Sequence, residues 1–152
     1  MLTIDGIAGL RARLGEQLGT SPWHQITQEE IDAFADLTDD HQWIHVDRER
    51  AAASPFGSTI AHGLLTLSLG PRFSQQIFEI VNIDFGLNYG YGRVRFPAPL
   101  PVGSKLRMSA RLASLEDVPG GVQLTIEQTF EREGSEKPVC FAESLVRILS
   151  DR

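Results

Sequence analysis

The chain has 152 residues, of which 41% are hydrophobic and 22% charged, as in an ordinary soluble globular protein. This length predicts one domain over residues 1–152, with a core that needs no disulfide. The net charge of −6 argues against nucleic acid as a partner, although a local basic cluster could still bind an anion. A single cysteine, Cys140, excludes an intramolecular disulfide and is typical of the reducing cytoplasm. We expect no signal peptide, and no apolar run reaches the ~18 residues of a membrane span.

The N-terminal segment, residues 2–14, predicts a short helix, and residues 23–26 predict a short extended piece. The apolar residues of the first segment fall roughly on one side of such a helix: Leu2, Ile7, Leu10 and Leu14.

A second helix is predicted to begin at Thr27, because Thr27 and Glu30 have the spacing of a capping box. This helix is expected to end near Asp39. Asp47 is a candidate N-cap for another short helix through Ala51–Ala53. The residues expected to be buried by the helix after Thr27 are Ile31, Phe34, Ala35 and Thr38.

Residues 63–79 predict a long helix that is apolar on most sides, as buried helices are. Pro71 is expected to kink this helix or to divide it in two.

After residue 82 the apolar pattern changes to a period of two residues, which predicts strands. About five strands are expected, in apolar runs that begin near Ile83, Leu106, Val122 and Val139. The first run is interrupted at Gly90 and Gly92, and a parity change is expected inside the last. Turns are predicted within 97–103, 116–121 and 133–138. Strands that follow helices indicate the α+β class, and one long buried helix beside a meander predicts a sheet wrapped around that helix.

Asp40 and His45 are candidate acid and base, placed where a helix pattern has just ended and a loop is expected. A carboxylate and an imidazole on one loop can hold a water molecule, and histidine accepts a proton near neutral pH. Alternatively, both are surface residues in a polar turn. The large apolar residues Trp43 and Ile44 favour a loop that packs inward.

A metal site must also be weighed, because His41 and His45 lie four residues apart beside Asp40. The segment is predicted to be a loop, the glutamate of a zinc-protease motif is missing, and no third ligand is evident nearby. The sequence therefore predicts no metal. His41 is interpreted as a solvated residue and His24 as structural or exposed.

His62 and Gly63 directly precede the long apolar helix. Glycine permits tight packing at this point. In addition, the first N–H groups of a helix have no internal partners, so the Gly63 N–H could stabilise a developing enolate oxygen. His62 is interpreted as a packed, hydrogen-bonded residue.

Basic residues recur on the predicted strands, where Arg93 and Arg95 are expected near Lys105 and Arg107. A solvated strand face is the first interpretation of this cluster, and a site for phosphate groups is the alternative.

Two segments resemble the MaoC-like (R)-specific enoyl-CoA hydratases, the hydratase 2 family. They are residues 34–47, FADLTDDHQWIHVD, and residues 60–63, IAHG. Residues 96–106, FPAPLPVGSKL, are similar to the strand that follows the site in that family. The resemblance covers most of the chain and is greatest to the nodulation-protein-N-like bacterial branch.

The chain departs from the usual family motif, Gly-Asp-x-Asn-Pro-Leu-His. Asp39 replaces the glycine, Gln42 the asparagine and Trp43 the proline. Gln42 can still form amide hydrogen bonds, but with a longer reach. Gln42 is therefore expected to contact the substrate. Arg93 and Arg95, from the basic cluster, are also expected to contact it.

The resemblance implies a hot dog fold and the reversible hydration of trans-2-enoyl-CoA to (R)-3-hydroxyacyl-CoA. It implies that Asp40 and His45 form the catalytic pair and that the Gly63 N–H binds the thioester oxygen. It also implies a homodimer. No cofactor is expected, because coenzyme A is part of the substrate.

Two other functions are compatible with the same fold. A hot dog acyl-CoA thioesterase typically uses a carboxylate on the central helix, but residues 64–69 contain no Asp or Glu. A non-catalytic acyl-thioester binding module, or an assembly partner of a dehydratase, would not need both Asp40 and His45.

Overall fold

Two β-sheets and a central pair of helices build the fold in the computed structural model, which describes residues 1–150. In chain order the elements are β1 (Leu2–Asp5), α1 (Gly6–Ala12), β2 (Gln17–Thr20), β3 (His24–Gln25), α2 (Gln28–Thr38), α3 (Trp43–Val46), α4 (Arg48–Ala52), α5 (Gly63–Ser68), α6 (Gly70–Ile77), β4 (Phe78–Val81), β5 (Phe85–Arg95), β6 (Lys105–Val118), β7 (Gly121–Arg132) and β8 (Cys140–Leu149).

The larger sheet is antiparallel, with strand order β2-β6-β7-β8-β5 and with β3 also paired to β6. Its inner face packs against α5 and α6, where the rings of Phe73 and Phe130 lie 6.2 Å apart. This arrangement confirms the α+β class and the sheet around a central helix. No helix among residues 1–150 is both long and apolar enough to cross a membrane.

The central helix is divided at Leu69, as Pro71 predicts. Pro71 lies in the first turn of α6, where its missing N–H removes no helical hydrogen bond. Leu69 itself keeps a right-handed helical backbone, with φ −78° and ψ −8°. Consequently α6 continues from α5 with only a local break.

The strand periodicity is confirmed in β7 and in β6 as far as Leu112, where the even-numbered residues face the core. A register shift between Leu112 and Ser114 ends this alternation in β6. Gln128 occupies one of these inward positions and is buried. In β8 the buried residues Cys140, Ala142, Ser144 and Ile148 are also all even-numbered. The β7–β8 register is unbroken, so the predicted parity change is wrong.

The capping predictions are confirmed. Thr27 and Glu30 form both hydrogen bonds of a capping box at α2, and Asp47 accepts from the Arg50 N–H at the start of α4. Thr38, expected to be buried, is exposed and donates its hydroxyl to the Phe34 carbonyl, 2.7 Å away.

The predicted N-terminal helix over residues 2–14 is only partly correct. Residues 2–5 form β1, which pairs in parallel with β4, and Leu14 is half exposed. Residues 78–79, predicted as the end of the long helix, belong to β4. The pairing buries Ile4 almost completely, and this tertiary contact overrides the local helical pattern.

Candidate active site

A cavity of about 350 Å³ opens where α5 begins, and it is called here the His45 cavity. The structure brings the predicted acid, base and glycine together around it. Its lining residues are Phe34, Thr38, Asp40, His45, His62, Gly63, Leu64 and Phe96.

The end of α2 places Asp40 at this cavity. Asp39 adopts the left-handed conformation at φ 57°, which a short polar residue such as aspartate tolerates. The Asp40 N–H then donates to the Ala35 carbonyl, 3.1 Å away, and the chain leaves the helix. The Asp40 side chain is exposed, and its Oδ1 lies 3.4 Å from the Gln42 N–H.

His45 lies on the one-turn helix α3 and not in a loop, which corrects the expectation from the sequence. It is only 7% exposed. The buried amide of Gln28 fixes its backbone, because Gln28 Nε2 donates to the His45 carbonyl at 2.8 Å. Thr59 in turn donates to Gln28 Oε1 at 2.5 Å. The spacing of residues in the sequence did not predict that Gln28 positions His45.

The His45 ring is oriented by the Ile60 carbonyl, which lies 2.7 Å from Nδ1. A carbonyl oxygen only accepts hydrogen bonds, so Nδ1 carries the proton and Nε2 of the neutral ring has a free lone pair. Burial lowers the pKa of His45, and the neighbouring His62 lowers it further. The ring is therefore suited to accept a proton at neutral pH.

His62 supports both predicted catalytic residues. Its ring stacks on His45 with centroids 3.8 Å apart, and Phe34 contacts it at 5.0 Å. Nε2 of His62 donates to the backbone carbonyl of Asp40, 3.0 Å away. The interpretation of His62 as packed and hydrogen-bonded is correct, but its contact with both residues was not anticipated.

The same cluster could hold a metal ion. One ligand atom each from Asp40, His45 and His62 lies within 4.8 Å of the others. Thus a third potential ligand is present, contrary to expectation, and it is not His41, which contacts Asp36 and Asp39 instead. The Nε2 atom of His45 and the carboxylate of Asp40 could equally hold a water molecule.

Gly63 opens α5, so its N–H has no partner inside the helix. A Cβ atom at this position would lie 2.9 Å from the ring of Phe96, which is closer than real Cβ contacts. Phe96 and Gly63 also line a smaller cavity of about 200 Å³ beside His45. The absence of a side chain at Gly63 therefore leaves room for the Phe96 ring between the two cavities.

The protein family described as "MaoC like domain" matches residues 10–131. The chain belongs to the MaoC-like dehydratase family. It is accordingly a hydro-lyase, an enzyme that adds or removes water.

Relatives extend over nearly the whole chain. A protein of Mycobacterium tuberculosis named 3-hydroxyacyl-thioester dehydratase Z is 53% identical over 151 residues, covering 99% of this chain and 100% of the relative. Nodulation protein N of Rhizobium leguminosarum bv. viciae is 43% identical over 149 residues, with 95% and 92% covered.

Solved structures share the fold. An (R)-hydratase of Pseudomonas aeruginosa superposes with a TM-score of 0.73 at 20% identity, covering 91% of this chain and 83% of that chain. The expected hot dog fold is confirmed.

The three expected substrate contacts do not line the His45 cavity of this MaoC-like chain. Gln42 is the exposed N-cap residue of α3. Arg93 lies 3.5 Å from Glu143, and Arg95 donates to the Val94 carbonyl. Their roles stay predictions.

The wider basic cluster does not form. Lys105 and Arg107 lie on β6, which β7 and β8 separate from the strand of Arg93. Lys105 forms an ion pair with Glu133, and Arg107 forms one with Glu131.

Proposed function

We propose that the protein is an (R)-specific enoyl-CoA hydratase, which adds water to trans-2-enoyl-CoA and catalyses the reverse dehydration of (R)-3-hydroxyacyl-CoA. The observation that carries this proposal is the meeting of the Asp40 carboxylate, the free Nε2 of His45 and the Gly63 N–H at one cavity. The name of the Mycobacterium tuberculosis relative, 3-hydroxyacyl-thioester dehydratase Z, and the dehydratase family support it.

In the proposed mechanism the thioester oxygen accepts a hydrogen bond from the Gly63 N–H, which makes C3 electrophilic. One water molecule donates to the Asp40 carboxylate and to His45 Nε2. Nε2 takes a proton as the water oxygen bonds to C3 and the double-bond electrons move into an enolate. The imidazolium then returns a proton to C2, so that H and OH have been added. No cofactor is needed.

A direct test is incubation with crotonyl-CoA. We expect loss of the enoyl absorbance without release of free thiol, and a product oxidised only by an (R)-specific dehydrogenase. Turnover should persist in excess EDTA, because the proposal uses Asp40 and His45 to hold water and not a metal.

The same assay separates the other functions. Release of free thiol would indicate a thioesterase, and binding without turnover would indicate an acyl-thioester binding module. A thioesterase is disfavoured because α5 and α6 contain no Asp or Glu. Burial also raises the pKa of the Cys140 thiol to about 12, so this residue is a poor nucleophile.

The pH profile gives a second prediction. Only neutral His45 can accept a proton, and burial lowers its pKa below the usual 6.5. We therefore expect kcat/KM to rise with pH, with a midpoint below 6.5, and to be level above it. His62→Phe keeps a ring on His45 but removes the electrostatic effect of His62 that lowers the pKa of His45, so its midpoint should lie higher. A wild-type midpoint above 6.5 would contradict this assignment.

The exposed apolar surface of β5 supports a homodimer. Phe85, Leu87 and Tyr89 are 50%, 50% and 57% exposed. In addition, among residues 1–150 β5 pairs only with β8, which leaves its other edge free there. Exposed apolar residues beside an open strand edge are typical of a surface that pairs with another chain. We propose that a second copy covers β5.

Light scattering is expected to give about twice the 16.8 kDa chain mass at micromolar concentration. Tyr89→Asp should shift the protein toward the monomer, because a carboxylate would be buried in the interface. Leu37→Asp is the matched control, since Leu37 is 84% exposed but lies on α2. A wild-type monomer, or equal effects of both variants, would contradict the proposed surface.

A further inference from the structure

A separate cavity of about 350 Å³ lies between α6 and β5, and it is called here the Gln128 cavity. The inner faces of β7 and β8 form its floor. It shares no lining residue with the His45 cavity. Although its floor belongs to the apolar side of the sheet, many of its lining residues are polar: Ser74, Gln75, Asn88, Tyr91, Gln128 and Ser144.

Gln128 is the unusual residue of this cavity. It is 5% exposed and occupies an inward position between Ile126 and Phe130, where the other inward residues of β7 are apolar. Its Oε1 atom is buried without a hydrogen-bond partner among residues 1–150. A buried amide in this state destabilises the folded chain unless something else satisfies it. This favours a ligand group that pairs with the amide.

Both cavities lie beside the central helix. Leu64, Pro71 and Gln75 lie at helical spacing on one exposed face of α5 and α6. Leu64 lines the His45 cavity, whereas Pro71 and Gln75 line the Gln128 cavity. A substrate held at the helix start could therefore extend along this face.

The length of the helix gives the distance along its axis from the Gly63 N–H to the Gln128 amide. A Cβ atom added at Gly70 would lie 3.3 Å from Gln128 Oε1, so the amide is level with Gly70. Gly70 follows Gly63 by two helical turns, which corresponds to about 10 Å along the axis. An extended chain advances about 1.2 Å per bond, so about eight or nine bonds span this distance.

We propose that the Gln128 cavity binds the distal part of the substrate's acyl chain and that Gln128 selects chains with a hydroxyl group near C10. The hydroxyl hydrogen would be donated to Oε1, and the amide N–H would donate to the hydroxyl oxygen. A methyl group in the same place would leave both amide atoms unpaired, which disfavours that substrate. This inference rests on the proposed hydratase function.

The test compares two substrates with the wild-type protein, 10-hydroxydec-2-enoyl-CoA and undec-2-enoyl-CoA. Their acyl groups have the same number of non-hydrogen atoms, and only one ends in a hydroxyl group. We expect kcat/KM to be at least about tenfold higher for the hydroxylated substrate. An equal value, or a higher value for undec-2-enoyl-CoA, would overturn the inference.

Turnover of crotonyl-CoA by the wild-type protein separates the two proposals. If crotonyl-CoA is hydrated but the hydroxyl group confers no preference, only the role of Gln128 is wrong. If neither crotonyl-CoA nor the two longer thioesters are hydrated, both proposals fail.

Gln128→Met tests the residue itself, because methionine has a similar size but no amide. The preference for the hydroxylated substrate should be abolished in this variant. Gln123→Met is the matched control, since Gln123 lies on the outer face of the same strand and accepts from Arg147. It should keep the wild-type ratio. A ratio in folded Gln128→Met equal to that of the control would overturn the assignment. If Gln128→Met does not fold by thermal melting, the wild-type comparison of the two substrates decides.

Discussion

Asp40→Asn and His45→Ala are each expected to lower kcat by roughly 10²–10⁴-fold, the usual range for a positioned acid or base. Asparagine has no negative charge and only one acceptor oxygen. Alanine removes the Nε2 lone pair of the ring that the Ile60 carbonyl orients. Steady-state turnover of saturating crotonyl-CoA measures the effect. Thermal melting of the same preparations shows whether the variants fold.

The double variant is expected to be far from additive, because both side chains hold one water molecule. His41→Ala is the matched control: His41 is exposed, contacts Asp36 and Asp39, and does not line the His45 cavity. It should retain nearly full turnover. Wild-type turnover in either single variant would remove that residue from the mechanism.

Gly63→Val is expected to fold, to dimerise and to lose most hydratase activity, on the order of 10²-fold. The new side chain would not delete the Gly63 N–H. Its Cβ would lie 2.9 Å from the Phe96 ring, so the ring must move. Because Phe96 lines both cavities beside His45, the displaced ring and the valine methyl groups would hold the thioester away from the N–H.

Turnover and melting temperature measured on one preparation distinguish this role from packing alone. If glycine serves only packing, the change should lower the melting temperature and leave the kcat of the folded fraction near normal. Phe96→Leu in the Gly63→Val background is informative, because recovery would identify the moved ring as the cause. A melt close to wild type with full turnover would contradict both accounts.

Most of the candidate site was predictable from the order of residues along the chain. The Thr27 capping box sets where α2 begins, and Asp40 follows the end of that helix. Gly63 precedes the apolar helix as expected. The roles of His62 and Gln28 could not be predicted, because each contacts His45 from a segment about 17 residues away in the chain. Spacing within one segment carries no information about such contacts.

The fold was likewise predictable only where a local residue pattern determines it. Two-residue periodicity holds through β7 and through β6 as far as Leu112, because one face of each lies on the core. In β5 the same alternation does not correspond to a buried face, since both faces are largely exposed. Burial there would depend on a second chain, which no single-chain pattern can describe. The strands β1 and β4 were missed because each is only four residues long.

The pairing of β1 with β4 has a consequence for the order in which the chain can fold. The paired residues Thr3 and Glu79 are 76 positions apart. During synthesis from the N-terminus, β1 leaves the ribosome long before β4 exists. Closing so long a loop is entropically costly until the intervening helices are in place. The first residues to be synthesised are therefore among the last that can form their native contacts. Ile4 stays exposed until β4 has been made.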